Sequence, residues 1–185
     1  MPRYDADWID HMLRPDRRGS PSAELTLAYL GLGPGQIVAD VGCGPGFFTL
    51  PAARIIAPTG LVYAIDVEPR MLELVRSRVA EANIANVEIL QGERHRIPLD
   101  DDAAHLTICG LVLHDLEDRL GLVRELIRVT RPNGRIAVIE WSPDANDARP
   151  NRLRPADTSA LFAEAGRPVL EVTPLGTQQY LLVAG

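Results

Sequence analysis

The sequence predicts an α/β domain: a doubly wound, mainly parallel seven-stranded sheet that ends in a C-terminal antiparallel hairpin strand. Three observations carry this expectation. Five short runs rich in Val, Ile and Leu recur without the polar alternation of a one-sided sheet, which is the pattern of strands buried on both faces. Longer stretches with apolar residues at helical spacing separate these runs, and strand-helix alternation is the order that right-handed crossovers build. The last two apolar runs are joined by only four residues, PLGT, which suits a hairpin.

In chain order, a helix precedes the first strand, with Ser20 as cap, Pro21 in its first turn and Gly31 just past its end. IVADVG (37–42), LVYAID (61–66), VEIL (87–90), HLTICGLVL (105–113) and RIAVIEW (135–141) are the five buried strands. Helices are expected over 47–57, over 69–82 with Leu72, Val75 and Val79 on one face, and over 117–130 with Leu120, Val123 and Ile127 on one face. A loop rich in Pro and Arg, SPDANDARPNRLRP, leads to a helix over 156–165 stopped by Gly166. PVLEVT and QQYLLVA then form the hairpin. The 185 residues suit one domain, 1–185, with 1–20 as an N-terminal segment.

Composition narrows the function. A formal charge of −6 argues against nucleic-acid binding, which rests on clustered Lys and Arg. The one basic cluster, RPDRR at 14–18, is short and holds an acid, so it reads as a solvated loop. No apolar run is long enough to span a bilayer and the N-terminus lacks a secretory layout, so a cytoplasmic protein is expected. Cys43 and Cys109 sit in apolar runs without a C-x-x-C partner or a histidine cluster, so reduced thiols and no metal site are expected.

The segment DVGCGPG, Asp40 to Gly46, places one acid and three glycines on alternate positions directly after the first strand. In an open α/β sheet this is the mouth of the ligand crevice, and glycines there allow positive φ and close backbone approach. A bare turn would need fewer. The dinucleotide fingerprint G-x-G-x-x-G fails in both registers, meeting Phe47 from Gly42 and Thr49 from Gly44. D-x-G-x-G-x-G does fit, and it resembles motif I of the class I, Rossmann-like methyltransferases that use S-adenosylmethionine (SAM). The charge logic agrees, since SAM carries an ammonium and a sulfonium where a dinucleotide carries a pyrophosphate. Asp66, about twenty residues on at the end of the second strand, stands where an adenosine-binding fold places the acid that takes ribose hydroxyls. That position is shared with NAD enzymes, so it supports adenosine without choosing the cofactor.

QGERHRIPLDDDAAHLTICGLVLHDLED, RELIRVTRPNGRIAVIEW and IDVEPRML together resemble the menaquinone-type and arsenite-type group of small-molecule methyltransferases. The resemblance implies that Asp40, Gly42 and Gly44 face the methionine end of SAM, with Cys43 and Gly46 in the same turn. It implies that Asp66 takes the ribose, that Val67 and Met71 flank the adenine, that Glu93 beside Arg94 stands near the adenine amine, and that Gly110 and Leu111 line the end of the fourth strand. Asn133 replaces the group's second glycine, which a turn accepts because Asn tolerates positive φ. Arg94 and Arg96 stand where small or acidic residues are usual.

For the chemistry, the candidate catalytic residues are His114 and Asp115 at the mouth of the fourth strand. Two readings stay open: His114 is a substrate-facing base, or it packs at the loop while Asp115 caps the helix near Glu117. His105 starts its strand, away from the mouth, and His95 lies in a loop; both read as structural or solvent-exposed. Trp141 either walls the pocket or belongs to the core. Tyr4, Trp8, His11 and Met12 share a helical spacing and either close over the substrate or pack as a terminal helix. The expected partner is a small-molecule methyl acceptor, quinone-like or otherwise apolar, because arsenite would require several converging thiols. A SAM-binding module without turnover shares every cofactor motif. An NAD-dependent oxidoreductase shares Asp66 but commonly needs a Tyr-Lys pair, and the chain contains no lysine.

Overall fold

The computed structural model describes Ile9, Leu13 and residues 20–94, 96–143 and 151–185. Tyr4, Trp8, His11, Met12, the 14–18 cluster, His95 and part of the loop after Trp141 lie outside the described residues.

The described elements are α1 (Ala23–Tyr29), β1 (Ile37–Val41), α2 (Thr49–Ile56), β2 (Leu61–Asp66), α3 (Pro69–Glu81), β3 (Val87–Gln91), β4 (Ala104–Gly110), a 3₁₀ turn (Leu113–Asp115), α4 (Arg119–Val129), β5 (Thr130–Trp141), α5 (Pro155–Glu164), β6 (Val169–Leu175) and β7 (Gln179–Ala184). The seven strands form one sheet in the order β3-β2-β1-β4-β5-β7-β6. β1 to β5 are parallel, while β7 runs antiparallel to both β5 and β6. The expected doubly wound sheet with its C-terminal hairpin is therefore the observed one.

Burial explains why these strands lack alternation. On one face Leu27, Ala52 and Ile56 cover Val38 and Ile108, with Leu72, Val75 and Val79 of α3 packed beside them. On the other, Val123, Leu126 and Phe162 from α4 and α5 cover Val41, Cys109 and Val138. With helices on both faces, every side chain of a central strand must be apolar or paired.

Several boundaries differ from the expectation for local reasons. The cap of α1 is Ser22, whose hydroxyl accepts from the Leu25 amide. Ser20 instead donates to Gln179 Oε1 at 2.6 Å. β4 stops at Gly110 because Leu111 turns to φ +62 and its amide bonds Ile139 O at 2.8 Å. α4 is capped by Asp118, which accepts from Gly121 N at 2.8 Å, and not by Asp115. β5 begins early: Thr130 already pairs with Ala104, and a register shift then absorbs residues 131–134.

Candidate functional site

The order of the sheet reverses between β1 and β4, so the loops leaving these strands diverge and open a crevice at the carboxyl rim. Asp40, the glycine turn, Asp66, Gly110, His114 and Asp115 all come from strand ends or loops at this rim. In register, Val41 stands beside Ile65 of β2 and Cys109 of β4, and Gly110 stands beside Ile139 of β5.

The glycines are required by geometry. Gly42, Gly44 and Gly46 have φ of +72, +52 and +87, a region open to glycine at no steric cost. A Cβ on Gly42 would lie 2.3 Å from Val112 Cγ2, and one on Gly46 would lie 2.8 Å from Leu50 and Val75. Gly42 and Cys43 both donate their amides to Ile65 O, at 2.8 and 3.0 Å. Arg78 of α3 adds a guanidinium hydrogen bond to Pro45 O. The Cys43 thiol points into the cluster of Leu50, Leu72 and Val75, and burial pushes its pKa up. Cys43 thus turns its sulfur to the core, while its backbone N–H and C=O are held by Ile65 and Gly46.

Two carboxylates flank the turn. Asp40 is 2% exposed and its Oδ2 accepts from Thr49 Oγ1 at 2.6 Å. Burial pushes its pKa up to about 7, against the Thr49 hydrogen bond. Asp66 receives the Gly44 amide on Oδ2 and the Glu68 amide on Oδ1, both at 2.9 Å. Its pKa is also raised by burial, with those amides pulling the other way. A carboxylate offers about four lone-pair positions over its two oxygens, so beside its backbone donors Asp66 keeps capacity for a further one. A pyrophosphate suits this place poorly, because the turn amide of Gly44 already serves Asp66 and the nearby charge is negative.

Around these, Val67 is 46% exposed whereas Met71 is 2% exposed in the top of α3. Glu93 and Arg94 are exposed, and Glu93 bridges to Arg96 through backbone bonds of 3.1 and 3.3 Å. Gly92 ties this loop to Asp66 O at 3.0 Å. Gly110 leaves room for Phe48, whose Cε2 would be 3.2 Å from an added Cβ. Trp141 is buried at the end of β5. His105, at the start of β4, accepts from the Ile37 amide at 2.9 Å, far from this rim.

His114 brings in a residue that the sequence did not single out. Its Nδ1 lies 2.7 Å from Oε2 of Glu140, and its backbone amide donates to Oε1 at 3.3 Å. Burial disfavours the imidazolium, but the hydrogen bond and charge of Glu140 outweigh it and the His114 pKa is raised. Asp115 lies 3.8 Å from Nε2. The available signal for Glu140 was an acid inside the apolar run AVIEW, and for Thr49 a hydroxyl in the first turn after the glycines. Among the described residues no cluster of His, Cys, Asp or Glu could hold a metal ion, and no helix is long and apolar enough to cross a membrane.

Comparison with known proteins identifies the family. The family described as Methyltransferase domain matches residues 39–138. An arsenite methyltransferase of Halobacterium salinarum is 30% identical over 160 residues, which cover 80% of this chain and 41% of that protein. A demethylmenaquinone methyltransferase of a Geobacillus species is 29% identical over 126 residues, covering 68% and 54%. The chain thus spans about half the length of these curated relatives. A crystal structure of a SAM-dependent methyltransferase from Aquifex aeolicus superposes with a TM-score of 0.89 at 29% identity and covers 98% of both chains. On the match across the first five strands, this chain belongs to the methyltransferase domain family.

Proposed function

We propose that the protein transfers a methyl group from SAM to a small, largely apolar acceptor by in-line displacement. The observation that carries this reading is the pair of inward carboxyls, Asp40 and Asp66, around a glycine turn whose backbone can approach a ligand. Such a pair suits a ligand with cationic centres and vicinal hydroxyls. SAM has both, and it supplies a methyl group already activated by the sulfonium.

The chain's residues then have separable tasks. Asp66 keeps lone pairs for the ribose hydroxyls while Gly44 and Glu68 amides hold its carboxylate still. Asp40 places negative charge under the methionine end, steadied by Thr49. Val67 and Met71 border the adenine, with Glu93 and Arg94 at its amine edge. Gly110 and Leu111 lead from the cofactor to the acceptor side, where His114 and Asp115 stand. Orientation by such a frame is worth up to about 7–11 kcal/mol of barrier in favourable cases. The acceptor we favour is quinone-like, in the reduced form that carries ring hydroxyls. Cys43 and Cys109 are both buried, with thiol pKa values pushed well up, which disfavours thiol-dependent arsenite chemistry. We place the protein in the cytoplasm.

Calorimetric titration with SAM, S-adenosylhomocysteine (SAH) and NADH tests the cofactor. Binding of the first two at about micromolar Kd, with none for NADH, is expected. NADH binding alone, or none of the three, would overturn the reading.

A further inference from the structure

Glu140 is completely buried near the end of β5, between Ile139 and Trp141. A carboxylate withdrawn from water costs several kcal/mol unless it is paired, and apolar residues at such places usually give equal or better stability. The partner here is His114, approached twice by the same carboxylate. In the neutral ring, an acceptor facing Nδ1 favours the tautomer with its proton on Nδ1 and its lone pair on Nε2. The imidazole is 16% exposed, at the rim of the crevice beyond Gly110 and Leu111.

We propose that His114 is the proton acceptor of the reaction, with Glu140 as the residue that positions it, and that the methyl acceptor therefore carries an ionisable proton on its nucleophile, as a phenolic or enolic hydroxyl does. This rests on the methyltransferase reading. In the step, the acceptor oxygen forms a bond to the methyl carbon as the carbon-sulfur bond breaks, and the sulfur keeps that electron pair to become a thioether. The hydroxyl proton moves to His114 Nε2 and then to water, so the products are the methyl ether, SAH and one proton. Glu140 stabilises the transient imidazolium, as a buried carboxylate beside a catalytic histidine does. A tertiary amine or another nucleophile without a proton has no use for such a pair.

The charged groups around the pair are Asp115 on its own turn and Arg119 on α4, which act on His114 with opposite sign. Cys109 of β4 and Tyr180 of β7 feel the Glu140 charge. Tyr180 is itself held by Thr158 at 2.7 Å.

The test compares methyl transfer from SAM to 1-naphthol and to N,N-dimethyl-1-naphthylamine, across pH, for the wild type, Glu140→Gln, Glu140→Asp and His114→Gln. Expected is transfer to 1-naphthol with an acid limb in kcat. Glu140→Gln should move that limb to lower pH and lower the plateau at least about tenfold, with the SAH Kd unchanged and Glu140→Asp partly restoring the rate. Transfer to the amine should be absent or show no such limb. An unmoved limb in Glu140→Gln, or no transfer to 1-naphthol by protein that binds SAH, would overturn the inference. Failure to bind SAH would instead overturn the methyltransferase reading. Should Glu140→Gln fail to fold, nitrogen NMR of wild-type His114 decides: the neutral ring must carry its proton on Nδ1, and an Nε2 proton would refute the pair.

Discussion

The amide of Gly44 donates to Oδ2 of Asp66 at 2.9 Å, so the turn after β1 and the end of β2 form one hydrogen-bonded unit. The cofactor proposal treats them as one site for that reason. Disturbing the turn should then disturb the carboxylate.

Gly42→Ala is the direct disturbance. Its added Cβ would meet Val112 at 2.3 Å with φ held at +72. Relief requires a shift of the turn or of Val112, and the cost expected for such overpacking is about 1–3 kcal/mol. Thermal unfolding should show the loss, and titration should show weaker SAH binding. Unchanged melting and binding would mean that the turn is far more pliant than its geometry indicates.

On the proposed reading, Asp40 makes cofactor binding depend on pH. Its folded pKa of about 7 lies above the ordinary 3.8, so its contribution to stability is fully present below about 3.8 and is lost as pH rises through about 7. Cation binding works in the opposite sense, because SAM requires the ionised form. SAM affinity should therefore rise with pH up to about 7 and then level off, with protons released on binding below that point. Titration in buffers of different ionisation enthalpy measures this release, which Asp40→Asn should reduce.

How much of this was legible in the sequence depends on how local each cause is. The turn from Asp40 to Gly46 was readable because φ demands and glycine identity lie in the same seven residues. The parallel sheet was readable because strands covered on both faces must be apolar throughout. Glu140 was not singled out as functional, since its partner His114 is 26 residues away and only the pairing of β5 beside β4 brings them together. Ser20 and Ser22 both flank Pro21, so local sequence does not choose between them as the cap; the bond that takes Ser20 away is to Gln179, 159 residues on. The stop of β4 at Gly110 depends on Leu111 adopting φ +62, which no leucine announces.

His114→Ala separates the two halves of the site. SAH affinity should stay within about twofold, because the proposal puts the histidine on the acceptor side, while Glu140 loses its partner and stability drops by about 1–3 kcal/mol. The raised His114 pKa gives a further signature. Its stabilising contribution is fully present below the unfolded value near 6.5 and disappears as pH rises through the higher folded value. Chemical denaturation across that range should show this component in the wild type and not in the variant. A tenfold loss of SAH affinity would place His114 in the cofactor half instead.

The most direct test of the central claim is SAH titration of the wild type and Asp66→Ala side by side, with circular dichroism to verify the fold. The account expects about micromolar binding to the wild type and at least about tenfold weaker binding to the variant, since charge-assisted hydrogen bonds to the ribose are worth about 1.5–3 kcal/mol each. Equal affinity in two folded proteins would contradict the ribose assignment of Asp66, and the cofactor site drawn around it would fall with it.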